Sequence, residues 1–198
     1  MTATAGARRP PAYRAALMLP AAFSLLAGLD AALMLLGLPS PVTAERLPEV
    51  HGMLMVLGFA GTLIALERSV ALRSRWAHLS PALLGGGAVL LVTPVTPVAG
   101  QLLFVGGTAA LLVLYAHFWR RQPSAALLTQ AAGAVSALGA ALLWAAGLDI
   151  PRLLPWLAGF LVLTIAGERL ELSRIAFLAP RTEQQFLGCV GAVLAGTA

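Results

Sequence analysis

Charge is what this sequence has least of. Only 11% of its 198 residues are charged, against 59% hydrophobic, and the mean hydropathy is +0.87. A water-soluble domain of this length needs far more charge on its surface. The composition therefore excludes that class and points to an integral membrane protein in contact with a lipid bilayer. Cysteine is nearly missing as well: Cys189 stands alone inside an apolar run. One thiol excludes a disulfide framework and a thiolate metal site, and leaves Cys189 the role of a small packing residue. Lysine is absent, so all 13 basic residues are arginine. The net charge of +5 would suit a nucleic-acid binder. These arginines, however, lie in short clusters between apolar runs, as the loops of a membrane protein require, and nucleic acid is not an expected partner.

What is present is a series of apolar runs. Six are long enough to be spans of about 20 residues, at roughly 15–38, 50–72, 79–98, 101–119, 124–148 and 153–172. A seventh, from Phe186, stops at Ala198 after 13 residues. That is about 20 Å of helix against a hydrocarbon core of about 30 Å, so it is expected to be truncated. The expected fold is all-α: a polytopic transmembrane bundle of six full spans plus this partial one. The basic excess falls on alternate loops, with Arg8, Arg9 and Arg14, then Arg73 and Arg75, then Arg120 and Arg121, then Arg174 and Arg181. The opposite loops hold Arg46 with Glu45 and Glu49, and Arg152 with Asp149. The positive-inside rule then puts the N-terminus in the cytoplasm, in a multi-pass protein of a bacterial inner membrane. The first segment is longer than the apolar stretch of a signal peptide, about 7–15 residues, so it reads as a retained helix after a cytoplasmic tail.

The chain also repeats itself. AALMLPAAFSLLAGLDAALMLLGLPSP (15–41) lies over AALLTQAAGAVSALGAALLWAAGLDIP (125–151) without gaps, and both end in Gly-Leu-x-x-Pro. GFAGTLIALERSVALR (58–73) lies over GFLVLTIAGERLELSR (159–174), sharing Gly, Phe, Ile, Ala, Glu, Arg and the final Arg. The reading is a tail at 1–14, a four-helix unit at 15–121, and a second copy at 122–198 that is incomplete at its C-terminus. Both copies start on the same side, so the repeat is parallel. Glycine inside the spans serves close helix packing.

Few residues carry chemistry. His51 sits just inside the outer end of the second segment. It is either a haem or metal ligand or an interfacial histidine bonded to a neighbouring carbonyl. Asp30, inside the first segment, is costly in lipid unless paired, protonated or facing water. It is read as a proton carrier, as a holder of a partner's hydrogen bond, or as a protonated group bonded to backbone. Glu67-Arg68 and Glu168-Arg169 end the second and sixth segments. They are solvated end charges or pairs that cross between the helices. His78 and His117 fall beside arginines at the opposite end from His51.

The His-Gly-x-x-Met run at 51–55, after a loop and before a glycine-bearing descent, resembles helix 2 of the haem-copper oxidase subunit I superfamily. The NnrS family of haem- and copper-containing membrane proteins of the nitric-oxide response is a related likeness. The resemblance covers mainly the first two segments. It implies that His51 is an axial haem ligand in a fold of four-helix arcs with the N-terminus inside. It also departs from that pattern. The oxidases carry a copper-binding histidine on helix 6 and a histidine pair at helix 7, whereas WLAGFLVLTIAGERLELSR and TEQQFLGCVGAVLAG hold none. Copper and oxygen reduction are thus not implied, and no residue is assigned as catalytic.

A low-spin haem takes two axial ligands on opposite faces of the ring. Met55 is one turn from His51 and shares its face, which leaves Met34 as the internal candidate. Otherwise the second ligand comes from sequence beyond Ala198 or from another subunit. Two further readings stand beside haem binding and electron transfer: a small-solute or proton transporter working through Asp30, and a structural or accessory membrane subunit.

Overall fold

The computed structural model describes residues 12–42, 44–94 and 96–173, together with Gln185, 188–192 and 195–196. Every described element is helical. Helix α1 is Ala12–Leu35, α2 is Leu47–Leu72, and α3 is Leu79–Val92, entered through a 3-10 turn at Trp76–His78. Helix α4 is Pro97–Arg121, α5 is Ala125–Ala145, and α6 is Ile150–Ser173. Of these, α1, α2, α4, α5 and α6 are long and apolar enough to cross a membrane.

The third apolar run, expected as a span at 79–98, forms a shorter helix. Its 14 α-helical residues reach about 21 Å. The reason is local. Thr93 precedes Pro94 and is pushed into extended backbone at φ −81°, ψ 160°, which stops the helix at Val92. Pro97 then opens α4 in its first turn, where its missing N–H has no partner to lose. Of the partial seventh run, residues 188–192 and 195–196 are helical, and the rest lies outside the described residues. Among the described residues Cys189 is exposed.

The two Gly-Leu-x-x-Pro sequences make the same cap. Gly37 has φ +67° and donates its N–H to Met34 O, while Leu38 donates to Leu33 O. Gly147 has φ +93° and donates to Trp144 O, while Leu148 donates to Leu143 O. Both are Schellman caps, which need a residue with positive φ and therefore select glycine.

Helix α2 is central and touches α1, α3, α4 and α6, while α3–α4, α4–α5 and α5–α6 pack as sequential neighbours. Lipid tails are as apolar as leucine, so tight backbone approach has to hold the helices together. On α1 the residues Pro20, Ser24 and Gly28 recur every fourth position and share a face. They meet Gly85, Gly58 and Met55 respectively. Around this seam the core is closed by Leu54, Leu57, Leu84, Phe104, Leu111 and Phe160, all fully buried.

The winding places residue 45 and residue 122 at opposite ends of the bundle. We expect maleimide labelling of cysteines placed at Glu45 and at Gln122, in a Cys189→Ser background, to come from opposite faces of sealed vesicles. Labelling of both from one face would contradict the topology.

Candidate functional site

The N-terminal half of α2 holds His51 in a defined setting. Helix α2 starts at Leu47 with Pro48 in its first turn, so His51 is already inside regular helix. Its Nδ1 lies 2.9 Å from the carbonyl oxygen of Gly28 on α1. A carbonyl only accepts, so Nδ1 carries the proton in this bond. Nε2 makes no hydrogen bond among the described residues, and the ring is partly exposed. Gly28 has no side chain to hold the helices apart, and the sulfur of Met55 packs into the space a Cβ would fill. Met55 is thus committed to the α1 contact. Met34 lies six residues beyond Gly28 on α1, about 9 Å along its axis, and packs against the core.

Immediately after this point α2 changes its winding. Leu54–Gly61 is a π-helix of eight residues, flanked by α-helix on both sides. Such stretches are rare, and they are frequent at functional sites. The sequence gives no periodic sign of it, because LMVLGFAG is apolar all round.

Asp30 is almost fully buried near the same end. Its Oδ1 accepts from the Ser40 hydroxyl at 2.8 Å and its Oδ2 from the Val42 N–H at 3.2 Å. Of the three roles read for it, the structure shows an acceptor of hydrogen bonds, and the donors come from the α1–α2 connection rather than from helix backbone. Beyond it, the cleft between α2, α4 and the α5–α6 turn holds about 670 Å³ and includes Arg46, Glu49, Gln101 and Asp149.

At the other end of α2 the polar group is larger than the sequence suggested. The Arg68 side chain is only 12% exposed and lies 3.6 Å from Glu168, 3.6 Å from Glu171 and 3.8 Å from Glu67. Gln130 on α5 is fully buried and donates its Nε2 to Glu171 Oε2 at 3.3 Å. Tyr115 on α4 is buried within electrostatic reach of Arg68, Glu168 and Glu67. Arg68 Nε, Tyr115 Oη and Gln130 Oε1 have no hydrogen-bond partner among the described residues. Arg169, the counterpart of Arg68 in the second sequence copy, is exposed. The structure thus joins Arg68 to Glu168 and Glu67 and leaves Arg169 outside. Glu171, Gln130 and Tyr115 are additions. Glu171 had a legible signal, lying three residues after Glu168 on the same helical face. Gln130 and Tyr115 had none, because their importance depends on which helices meet.

His78 and His117 are at this second end. His78 Nδ1 is 3.1 Å from the Ser74 carbonyl oxygen, and His117 meets Trp76 edge-on with ring centroids 5.8 Å apart. Among the described residues no three or more His, Cys, Asp or Glu side chains come together as a metal site.

Five apolar, membrane-length helices with buried polar groups at both ends define a multi-pass helical membrane protein. Residues 14–198 match the family described as a domain of unknown function, DUF8744, and the chain belongs to that family. No curated protein and no solved structure matches it.

The three carboxylates around Arg68 are 35–66% exposed, which caps each pair at about 1 kcal/mol. Arg68→Met should nevertheless destabilise by about 1–3 kcal/mol, because it leaves like charges clustered and Tyr115 without its cation. Unfolding of Arg68→Met, Glu168→Gln and the double variant in micelles tests this. A coupling of at least about 0.5 kcal/mol is expected, whereas strict additivity would make the groups independent end charges.

Proposed function

We propose that the chain is a haem-binding, electron-transfer module of the membrane in which His51 supplies one axial ligand. The observation that carries this reading is the bond from Nδ1–H to the Gly28 carbonyl. It fixes the tautomer, leaves the Nε2 lone pair free and holds the ring against rotation, as in metal-bound imidazoles generally. The π-wound stretch that follows is in keeping with a functional position.

Among the described residues, His51 is the side chain that would hold the haem. For the other face, His78 and His117 belong to the opposite end of the bundle, and Met55 packs against Gly28. Met34 sits on the helix that already grips His51, so a ligand from another segment or another chain suits the opposite face better. When bound, haem supplies a one-electron couple. The chain's own part is to present Nε2, to fix the ring through Gly28 and to exclude water with the apolar helices around it. The resemblance to the NnrS family extends the reading to the nitric-oxide response. The arginine-bearing end then faces the cytoplasm of a bacterial inner membrane. The transporter reading is the weaker one, because both Asp30 oxygens are engaged by the loop.

The test is an optical spectrum of the protein in the membranes that express it, with Tm followed on haem addition. We expect a haem absorbance and a raised Tm. His51→Ala should abolish both while Asp30→Asn keeps the absorbance. A spectrum unchanged by His51→Ala would make His51 a packing residue.

A further inference from the structure

Between α4 and α5, at the end of the bundle that carries Arg120 and Arg121, lies an outward-facing groove of about 340 Å³. Its walls are mostly apolar: Leu112 and Ala116 from α4, Leu127, Leu128 and Ala131 from α5, with the buried Tyr115 between the two helices. Trp119 and Arg120 complete it at its charged end. Trp119 is 42% exposed and Leu128 46% exposed, so no described helix covers this surface.

The charge at its mouth has one sign. Arg120 and Arg121 occupy the last turn of α4, both are exposed, and neither forms an ion pair among the described residues. Guanidinium groups bind phosphate through paired N–H donors, and aromatic side chains such as Trp119 sit at headgroup level in bilayers. A second apolar groove, between α1 and the opening of α2, is lined by Phe23, Leu26, Leu29 and Val92 without any arginine. That groove has apolar walls without a cation, whereas the α4–α5 groove has both.

We propose that the α4–α5 groove binds one anionic phospholipid, its acyl chain along Leu112, Ala116, Leu128 and Ala131 and its phosphate at Arg120, with Arg121 adding positive charge at the same helix end. The site is independent of His51, which belongs to the other end of the bundle. Its recognition is electrostatic at the rim and steric in the groove, so each part has its own variant.

The full chain, reconstituted in vesicles of equal phosphatidylglycerol and phosphatidylcholine, is extracted in mild detergent and its retained lipid is counted by native mass spectrometry. We expect one phosphatidylglycerol to be kept in preference to phosphatidylcholine. Arg120→Gln with Arg121→Gln should lower that retention by about five-fold per arginine, without changing the little phosphatidylcholine that remains. These exposed residues are replaceable without loss of the fold. Ala131→Phe, which fills the groove and leaves the arginines in place, should lower retention of both lipids. Equal retention of the two lipids by the unaltered chain, or undiminished phosphatidylglycerol in the double glutamine variant, overturns the proposal. Displacement of the lipid by inorganic phosphate alone also overturns it, because the groove would then contribute nothing.

Discussion

A guanidinium among apolar helices is the constraint around which one end of this bundle is arranged. Arg68 is mostly buried, and an unpaired cation at such depth is too costly to keep. Its compensation comes largely from α6, where Glu168 and Glu171 both reach it, and Gln130 of α5 in turn secures Glu171. One residue of α2 thereby sets where α6 and α5 must stand. Toward the other end the same two helices are held by contact alone: Gly52 lies against Ile150 and Leu157, and Gly61 beside Phe160. The α2–α6 seam is electrostatic at one end and steric at the other. Only the electrostatic end specifies a rotational setting, because a carboxylate must meet a cation while a glycine accepts many neighbours.

The opposite end of the bundle solves a different problem. The α1–α2 connection has to turn back across the bundle with its polar backbone intact. Asp30 accepts from Ser40 and Val42 in that connection, and the cap at Gly37 closes the helix just before it. His51 donates to the same stretch of α1 from the other side. Asp30 and His51 therefore both hold the α1–α2 corner, whatever else the imidazole does.

Much of this was legible in the sequence wherever a property depends on one segment. Run length and hydropathy placed the helices, and the two Gly-Leu-x-x-Pro sequences marked caps that share their hydrogen bonds. The early end of α3 was also written locally, in Thr93 before Pro94, but the apolar run past it concealed the break. That the two Glu-Arg pairs stand at equal depth followed from the repeat, and which members meet did not. What stayed hidden depends on which helices meet. Tyr115 and Gln130 are single polar residues in apolar runs, and only the α2–α4 and α5–α6 contacts bring them to Arg68. The engagement of Asp30 by the loop was hidden likewise, since loop paths carry no periodicity. The π-wound stretch was hidden because a helix that is apolar all round looks the same at any pitch.

That stretch has a mechanical consequence. His51 and Arg68 are both seated, one against α1 and the other against α6, and eight π-wound residues lie between them. Each residue turns less about the axis in a π-helix than in an α-helix, so rewinding the whole stretch to α pitch would rotate the two ends of α2 relative to each other. Either the imidazole would leave the Gly28 carbonyl or the guanidinium would leave the carboxylates of α6. The pitch of the π-wound stretch therefore sets the angle between the imidazole at one end of α2 and the guanidinium at the other, and both contacts depend on it.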